Sequence, residues 1–124
     1  MQAAIYKGFM TPDTFFRALS DTTRLRCLML MQRQGELCVC ELTHALELSQ
    51  PKISRHLAAL REAGVVSDRR DGLWVFYRVH RDLPQWMQRV LAETLEGVGA
   101  QEPYAQDLQR LTEMSDRPRQ SCAV

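Results

Sequence analysis

The chain has 124 residues, 45% of them hydrophobic and 25% charged, and sixteen Lys and Arg against fifteen Asp and Glu leave a formal net charge of +1. That length and balance describe one soluble globular domain with a core of its own, and they exclude a chain that depends on disulfide staples. No apolar run approaches the roughly 18–20 residues of a membrane span and no basic-then-apolar leader opens the sequence, so the expectation is a cytoplasmic protein with no membrane partner.

In chain order, residues 1–10 show no period and read as an N-terminal extension. Thr11, Pro12 and Asp13 stand in the order cap, first-position proline, first-turn acid, and so open a helix that holds Phe15, Phe16 and Leu19 and ends near Ser20. Asp21 caps the next helix, over 22–34, and Gly35 closes it. Leu25, Cys27, Leu28, Met29, Leu30 and Met31 make that helix apolar around most of its circumference, so it is expected to be buried, with Cys27 a core thiol. Residues 36–39 read as extended, and 40–48 as a brief helix turning Leu42, Ala45 and Leu46 inward.

A minimal loop leads to 49–64, an amphipathic helix with a complete set of signals. Ser49 is the N-cap, Pro51 lies in the first turn, Ile53, Leu57 and Leu60 form the buried stripe, and Gly64 is the stop. Its other side carries Gln50, Lys52, Ser54, Arg55 and His56, each able to hydrogen-bond a base edge or a phosphate oxygen. A solvated polar face has the same composition, so the flanking elements must decide. The brief helix before it completes a helix-turn-helix. After it, 65–70 and 73–79 are short β-branched or aromatic segments around Asp71-Gly72, a hairpin signal, with Arg69 and Arg70 beside the turn. A helix-turn-helix followed by a basic-tipped hairpin is a winged helix, whose reading helix enters the major groove while the wing reaches along the backbone or into the minor groove. The charge distribution agrees: residues 50–81 hold seven Lys or Arg against three Asp or Glu, and 82–124 hold seven acids against four Arg.

The remainder reads as a helix over 85–96 with Trp86, Met87, Val90, Leu91 and Leu95, ended by Gly97 and Gly99, a last helix over 103–114 through Tyr104, Leu108 and Leu111, and a flexible polar tail from Ser115. The fold class is therefore mainly α with a small β-hairpin, divided into 1–10, a winged helix-turn-helix DNA-binding and sensor domain over 11–97, and a C-terminal helix and tail over 98–124. The first helix and the helix over 85–96 carry more apolar side chains than one small core needs, which predicts a homodimer through these terminal helices. Paired readers about one helical turn (~34 Å) apart suit a palindromic operator in double-stranded DNA.

Four cysteines, at 27, 38, 40 and 122, point to free thiols or metal ligands. Cys38 and Cys40 open the helix-turn-helix. Residues i and i+2 share a face in a strand but lie about 200° apart in a helix, so the two thiols can grip one ion only where this turn is extended or pulled out of helical form. The helix N-terminus favours negative charge, which promotes a thiolate at Cys40, and paired thiolates select soft ions. Two half-buried cysteines without a ligand have the same spacing.

ELCVCEL at 36–42, SQPKISRHL at 49–57, LREAG at 60–64 and DGLWVFYR at 71–78 closely resemble the ArsR family of metalloregulatory repressors, in its arsenic- and antimony-responsive branch. The resemblance covers about 11–96. It implies a homodimeric winged-helix repressor, not an enzyme, that sits on an operator and is released by trivalent arsenic or antimony, with no organic cofactor. By position, Cys38 and Cys40 would be the thiolate ligands. The family's commonest pattern has a third cysteine where this chain has Thr43. Trivalent arsenic prefers three thiolates, so the remaining bond falls to Cys122 on the tail, to Cys27 if its helix turns it inward, or to solvent or a small thiol. A methylated arsenical, whose carbon already fills one position, is an alternative inducer. The expected coupling is mechanical: chelation costs the brief helix its first turn and the reading helices their spacing. Base-edge contacts are assigned to Gln50, Ser54 and His56, and phosphate contacts to Lys52, Arg55, Arg69 and Arg70. Other readings are a Cys38/Cys40/His44 zinc or cadmium site and a thiol redox switch, the latter disfavoured for Cys38 with Cys40 because an i, i+2 disulfide is strained, but open for either of them with Cys122. No Gly-rich phosphate loop or Cys/His/Asn signature supports a cysteine enzyme.

Overall fold

The computed structural model describes residues 10–118. Among them are six helices and a three-stranded antiparallel sheet: α1 (Pro12–Leu19), α2 (Thr22–Gln34), β1 (Leu37–Cys38), α3 (Val39–Leu46), α4 (Gln50–Glu62), β2 (Val66–Asp71), β3 (Trp74–Val79), α5 (Gln85–Val98) and α6 (Tyr104–Thr112). The winged helix-turn-helix is therefore present, with α3 and α4 as its two helices and β2–β3 as its wing. No helix among the described residues is long and apolar enough to cross a membrane.

The local signals act where the sequence puts them. Thr11 Oγ1 accepts the Thr14 N–H at 3.2 Å, Asp21 accepts the Arg24 N–H at 3.0 Å, and Ser49 Oγ accepts the Lys52 N–H at 3.3 Å, so three helices start on side-chain caps. Glu47 takes a left-handed conformation (φ 57°) after α3, and its N–H returns to the Thr43 carbonyl.

Four boundaries differ from the sequence reading. The extended piece before α3 is a true third strand, with Leu37 opposite Tyr77 and Cys38 opposite Phe76, giving the order β1-β3-β2. α3 spans Val39–Leu46 rather than 40–48. In the wing, Asp71 pairs with Trp74, so Gly72 and Leu73 make the turn; Gly72 has φ 64°, which a side chain rarely tolerates. α5 runs through Gly97 to Val98, because Leu95 and Val98 continue its contact with the core.

Phe15, Leu28, Leu42, Ile53, Leu57 and Leu91 are fully buried and tie α1 to α5 into one core. Leu57 faces this core from the middle of α4. Leu57→Ala should cost about 2–5 kcal/mol in a urea unfolding curve, because the packed neighbours cannot collapse into the space.

α6 packs along α3, and its charged residues reach the helix-turn-helix. Asp107 is fully buried. It accepts Arg26 Nε at 2.8 Å and Arg26 Nη2 at 2.7 Å, together with Arg110 Nη2 at 3.0 Å. The same guanidinium groups donate to the Leu46 carbonyl (Arg26, 3.2 Å) and the Ala45 carbonyl (Arg110, 2.7 Å). The last carbonyls of α3, which a helix end leaves without partners, are thus held from below.

Candidate functional site

Cys38 ends β1 and is the N-cap of α3, with an extended backbone (φ −89°, ψ 166°), whereas Cys40 already lies in the helix. That change of direction between adjacent residues turns both side chains to one side. The sulfur atoms face each other at 2.50 Å, and the Cα atoms are 5.4 Å apart. Cys38 precedes the helix, so the two sulfurs converge with α3 intact.

An open cavity of about 650 Å³ adjoins the pair. Trp74, Leu73 and Val75 of the wing wall one side of it, and Gln50, the first residue of α4, reaches it from another. The thiol pair thus lies where sensor, wing and reading helix meet. The Cys38 N–H donates to Glu41 Oε1 at 2.8 Å, and Arg117 Nε donates to Glu41 Oε2 at 2.6 Å. Arg117 follows α6, in the segment read from sequence as flexible polar tail; here its side chain is 12% exposed and its guanidinium is seated on a fully buried carboxylate.

Of the third-ligand candidates, Cys27 is fully buried in α2, and burial pushes its thiol up to about 12, so it stays protonated and out of reach of solvent ions. His44 is exposed at the cavity edge. Among the described residues no three of His, Cys, Asp and Glu converge on a common point, which includes Cys38, Cys40 and His44. Cys122 lies outside the described residues, as do residues 1–9.

On α4, Gln50 and Arg55 are exposed and Lys52 and Ser54 half-buried, with Gln50 Nε2 donating to Ser54 Oγ at 2.7 Å. His56 is different. Its ring turns toward the start of α2, with Nδ1 3.4 Å from Arg24 Nη1 and 3.9 Å from Asp21 Oδ1. Burial, reinforced by the cations of Arg24, Arg55 and Lys52, holds its pKa below the ordinary imidazole value against the pull of Asp21. In this structure the ring makes a packing contact between α4 and α2.

The wing arginines also separate. Arg69 donates to both oxygens of Glu36, at 2.6 and 2.8 Å, approaches Asp71 at 3.6 Å, and lies 4.8 Å over the Phe76 ring. In this structure Arg69 clasps the wing to the residue before β1 while its side chain stays 48% exposed. Arg70 is exposed and makes no ion pair among the described residues.

The sequence reading passed over Glu36, Glu41, Trp74 and Arg117. One of these carried a signal: Cys38 and Glu41 have the spacing of a capping box, N-cap to third helical residue, with sulfur in place of a hydroxyl. Nothing local marks the others: the partners of Glu36 and Arg117 lie 33 and 76 residues away, and Trp74 is singled out only by the cavity it lines.

The sequence profile described as "Bacterial regulatory protein, arsR family" matches residues 21–68. The arsenic resistance transcriptional regulator ArsR1 of Pseudomonas putida is 54% identical over 117 residues, covering 94% of this chain and 90% of that protein. The arsenical resistance operon repressor of Escherichia coli is 49% identical over 86 residues, 69% of this chain and 74% of that one. Among solved structures, HlyU from Vibrio cholerae superposes with a TM-score of 0.63 at 30% identity, covering 69% of this chain and 89% of that chain. With its helix-turn-helix, wing and thiol pair in the positions described, this chain belongs to the ArsR family of bacterial transcriptional regulators.

Proposed function

We propose that this chain is a cytoplasmic repressor that binds a palindromic operator as a homodimer and is released when Cys38 and Cys40, as thiolates, chelate trivalent arsenic or antimony. The observation that carries this reading is the convergence of two sulfurs at the junction of β1 and α3. Paired thiolates favour a soft, thiophilic ion over a hard one. Relatives that share this chain over most of its length are named for arsenic resistance.

The coupling runs through β1. Cys38 pairs directly with Phe76 of the wing, and Glu36 clasps Arg69, so a movement of Cys38 onto an ion shifts the strand on which the wing is built. An inducer that prefers the displaced arrangement by a typical ~1–3 kcal/mol weakens the operator complex about 5–150-fold. Cys122 supplies the third bond in this reading. Arg117 is anchored beside the Cys38 backbone, and the five residues from there to Cys122 extend to about 17 Å at most. The dimer forms through α1 and α5, where Phe16 and Trp86 are 48% and 37% exposed around a cluster with Phe15. Closing such an aromatic surface is a usual source of interface energy.

Gel shifts on an upstream DNA fragment, titrated with arsenite, antimonite and methylarsenite, test the reading. Release by arsenite or antimonite at comparable doses supports it. Release by methylarsenite alone assigns the site to an organic arsenical, whose carbon would fit the apolar wall of Trp74 and Val75. No release by any of the three contradicts it. For the DNA face, Arg70→Ala should weaken binding to all sequences alike and lower the salt slope by about 1, as expected for a lost phosphate contact. A change confined to one operator base would overturn that role.

The 5.4 Å between the Cys38 and Cys40 Cα atoms, within the span of a disulfide, also favours a second reading, a redox switch. Peroxide would remove two electrons and two protons from the thiols to join them. DNA release by peroxide in the absence of metalloid, reversed by a dithiol, would support it over chelation.

A further inference from the structure

We propose that Arg117 is a positioning residue for the thiol pair, acting through Glu41; the inference rests on the reading of Cys38 and Cys40 as metalloid ligands. A fully buried carboxylate is costly unless it is paired and hydrogen-bonded. Glu41 has two partners with separate tasks. Oε1 receives the Cys38 N–H at 2.8 Å, satisfying the first orphan donor at the start of α3 and fixing the backbone of the ligand residue. Oε2 receives Arg117 Nε at 2.6 Å, which supplies the charge that lets the carboxylate stay in the core. The second nitrogen of Arg117 reaches Gln34 Oε1 at 3.5 Å, so the cation also spans the end of α2.

The opposite end of α3 is held by a different device, Arg110 on the Ala45 carbonyl and Arg26 on the Leu46 carbonyl, both joined to Asp107. That clamp fixes the turn into α4 without Arg117. The C-terminal arm therefore holds α3 at two separable points, one setting the geometry of the ligands and the other the placement of the reading helix. Loss of Arg117 weakens the grip on the metalloid while leaving the operator-binding arrangement in place.

The test is arsenite binding by the purified, reduced full chain, followed by tryptophan emission, since Trp74 stands in the cavity beside the sulfurs. Operator affinity without arsenite and a thermal melt accompany it. In Arg117→Met the half-saturating arsenite concentration rises about tenfold or more (about 1.4 kcal/mol), and operator affinity stays within about threefold (about 0.65 kcal/mol). Arg117→Lys keeps the cation and stays close to the parent. E41Q/R117M buries no charge yet keeps an acceptor for the Cys38 N–H, and restores arsenite binding. E41A/R117M buries no charge but lacks the acceptor, and remains defective. The last pair carries the test by itself should the single variant fail to fold. Unchanged arsenite binding in Arg117→Met overturns the proposal, as does equal binding by the two double variants. Equal losses of arsenite and operator binding would make Arg117 a merely structural residue. If the parent itself does not bind arsenite, the ligand assignment fails and this inference with it.

Discussion

Asp107→Ala should destabilise the protein by about 3–5 kcal/mol, the cost of removing one partner from a buried ion pair and leaving the others without it. The carboxylate is fully buried and accepts three hydrogen bonds of 2.7 to 3.0 Å from Arg26 and Arg110. Without it, two guanidinium groups lie side by side on the Ala45 and Leu46 carbonyls with only Glu47, 3.8 Å from Arg110, to offset them. For a chain of this size the loss is a fall in melting temperature of roughly 10–25 °C in a calorimetric scan. Those carbonyls lead into the turn before α4, so operator affinity should fall in the same variant. Replacing the acid together with both of its arginine partners, as in R26M/D107L/R110M, should recover part of the stability, because the penalty comes from the stranded charges rather than from an absent attraction. A shift of only a degree or two in Asp107→Ala would show that the network contributes little.

The second large effect is on the response. Cys38→Ser or Cys40→Ser should raise the arsenite concentration needed for half-release on the order of a hundredfold (about 2.7 kcal/mol), with little change in operator affinity. A serine hydroxyl is a hard donor that stays protonated near neutral pH, so it replaces the shape of the thiol but not its affinity for a soft ion. Cys27→Ala is the contrasting variant. That thiol is enclosed in the core and pushed up to about 12, and its loss should lower stability while leaving the arsenite dose unchanged.

The helices before the wing were legible because their signals are local. Asp21 and Gly35 bracket α2, and Ser49 with the 53/57/60 stripe sets α4, so caps and periodicity suffice. β1 was not legible as a strand, since two residues carry no alternation and owe their conformation to Tyr77 and Phe76, some forty residues on. The candidate site divides in the same way. Cys38 and Cys40 could be picked out because their chemistry and spacing are written side by side. The contacts of His56 and Arg69 were not legible, because a basic or aromatic polar side chain on an outer face looks the same in sequence whether it meets solvent or Asp21 and Glu36. Asp107 and Arg117 show the limit most clearly. Charged residues are rarely buried, and only the folded chain, which brings them to Arg26 and Glu41 across 81 and 76 residues, makes their burial tolerable.

The most direct measurement is an arsenite titration of the preformed operator complex, run in parallel on the parent and on C38S/C40S under reducing conditions. The account predicts that arsenite frees the DNA from the parent, while the doubly substituted protein holds it at every dose with the parent's affinity. Release from the doubly substituted protein at the dose that frees the parent would contradict the account and place the sensor elsewhere in the chain.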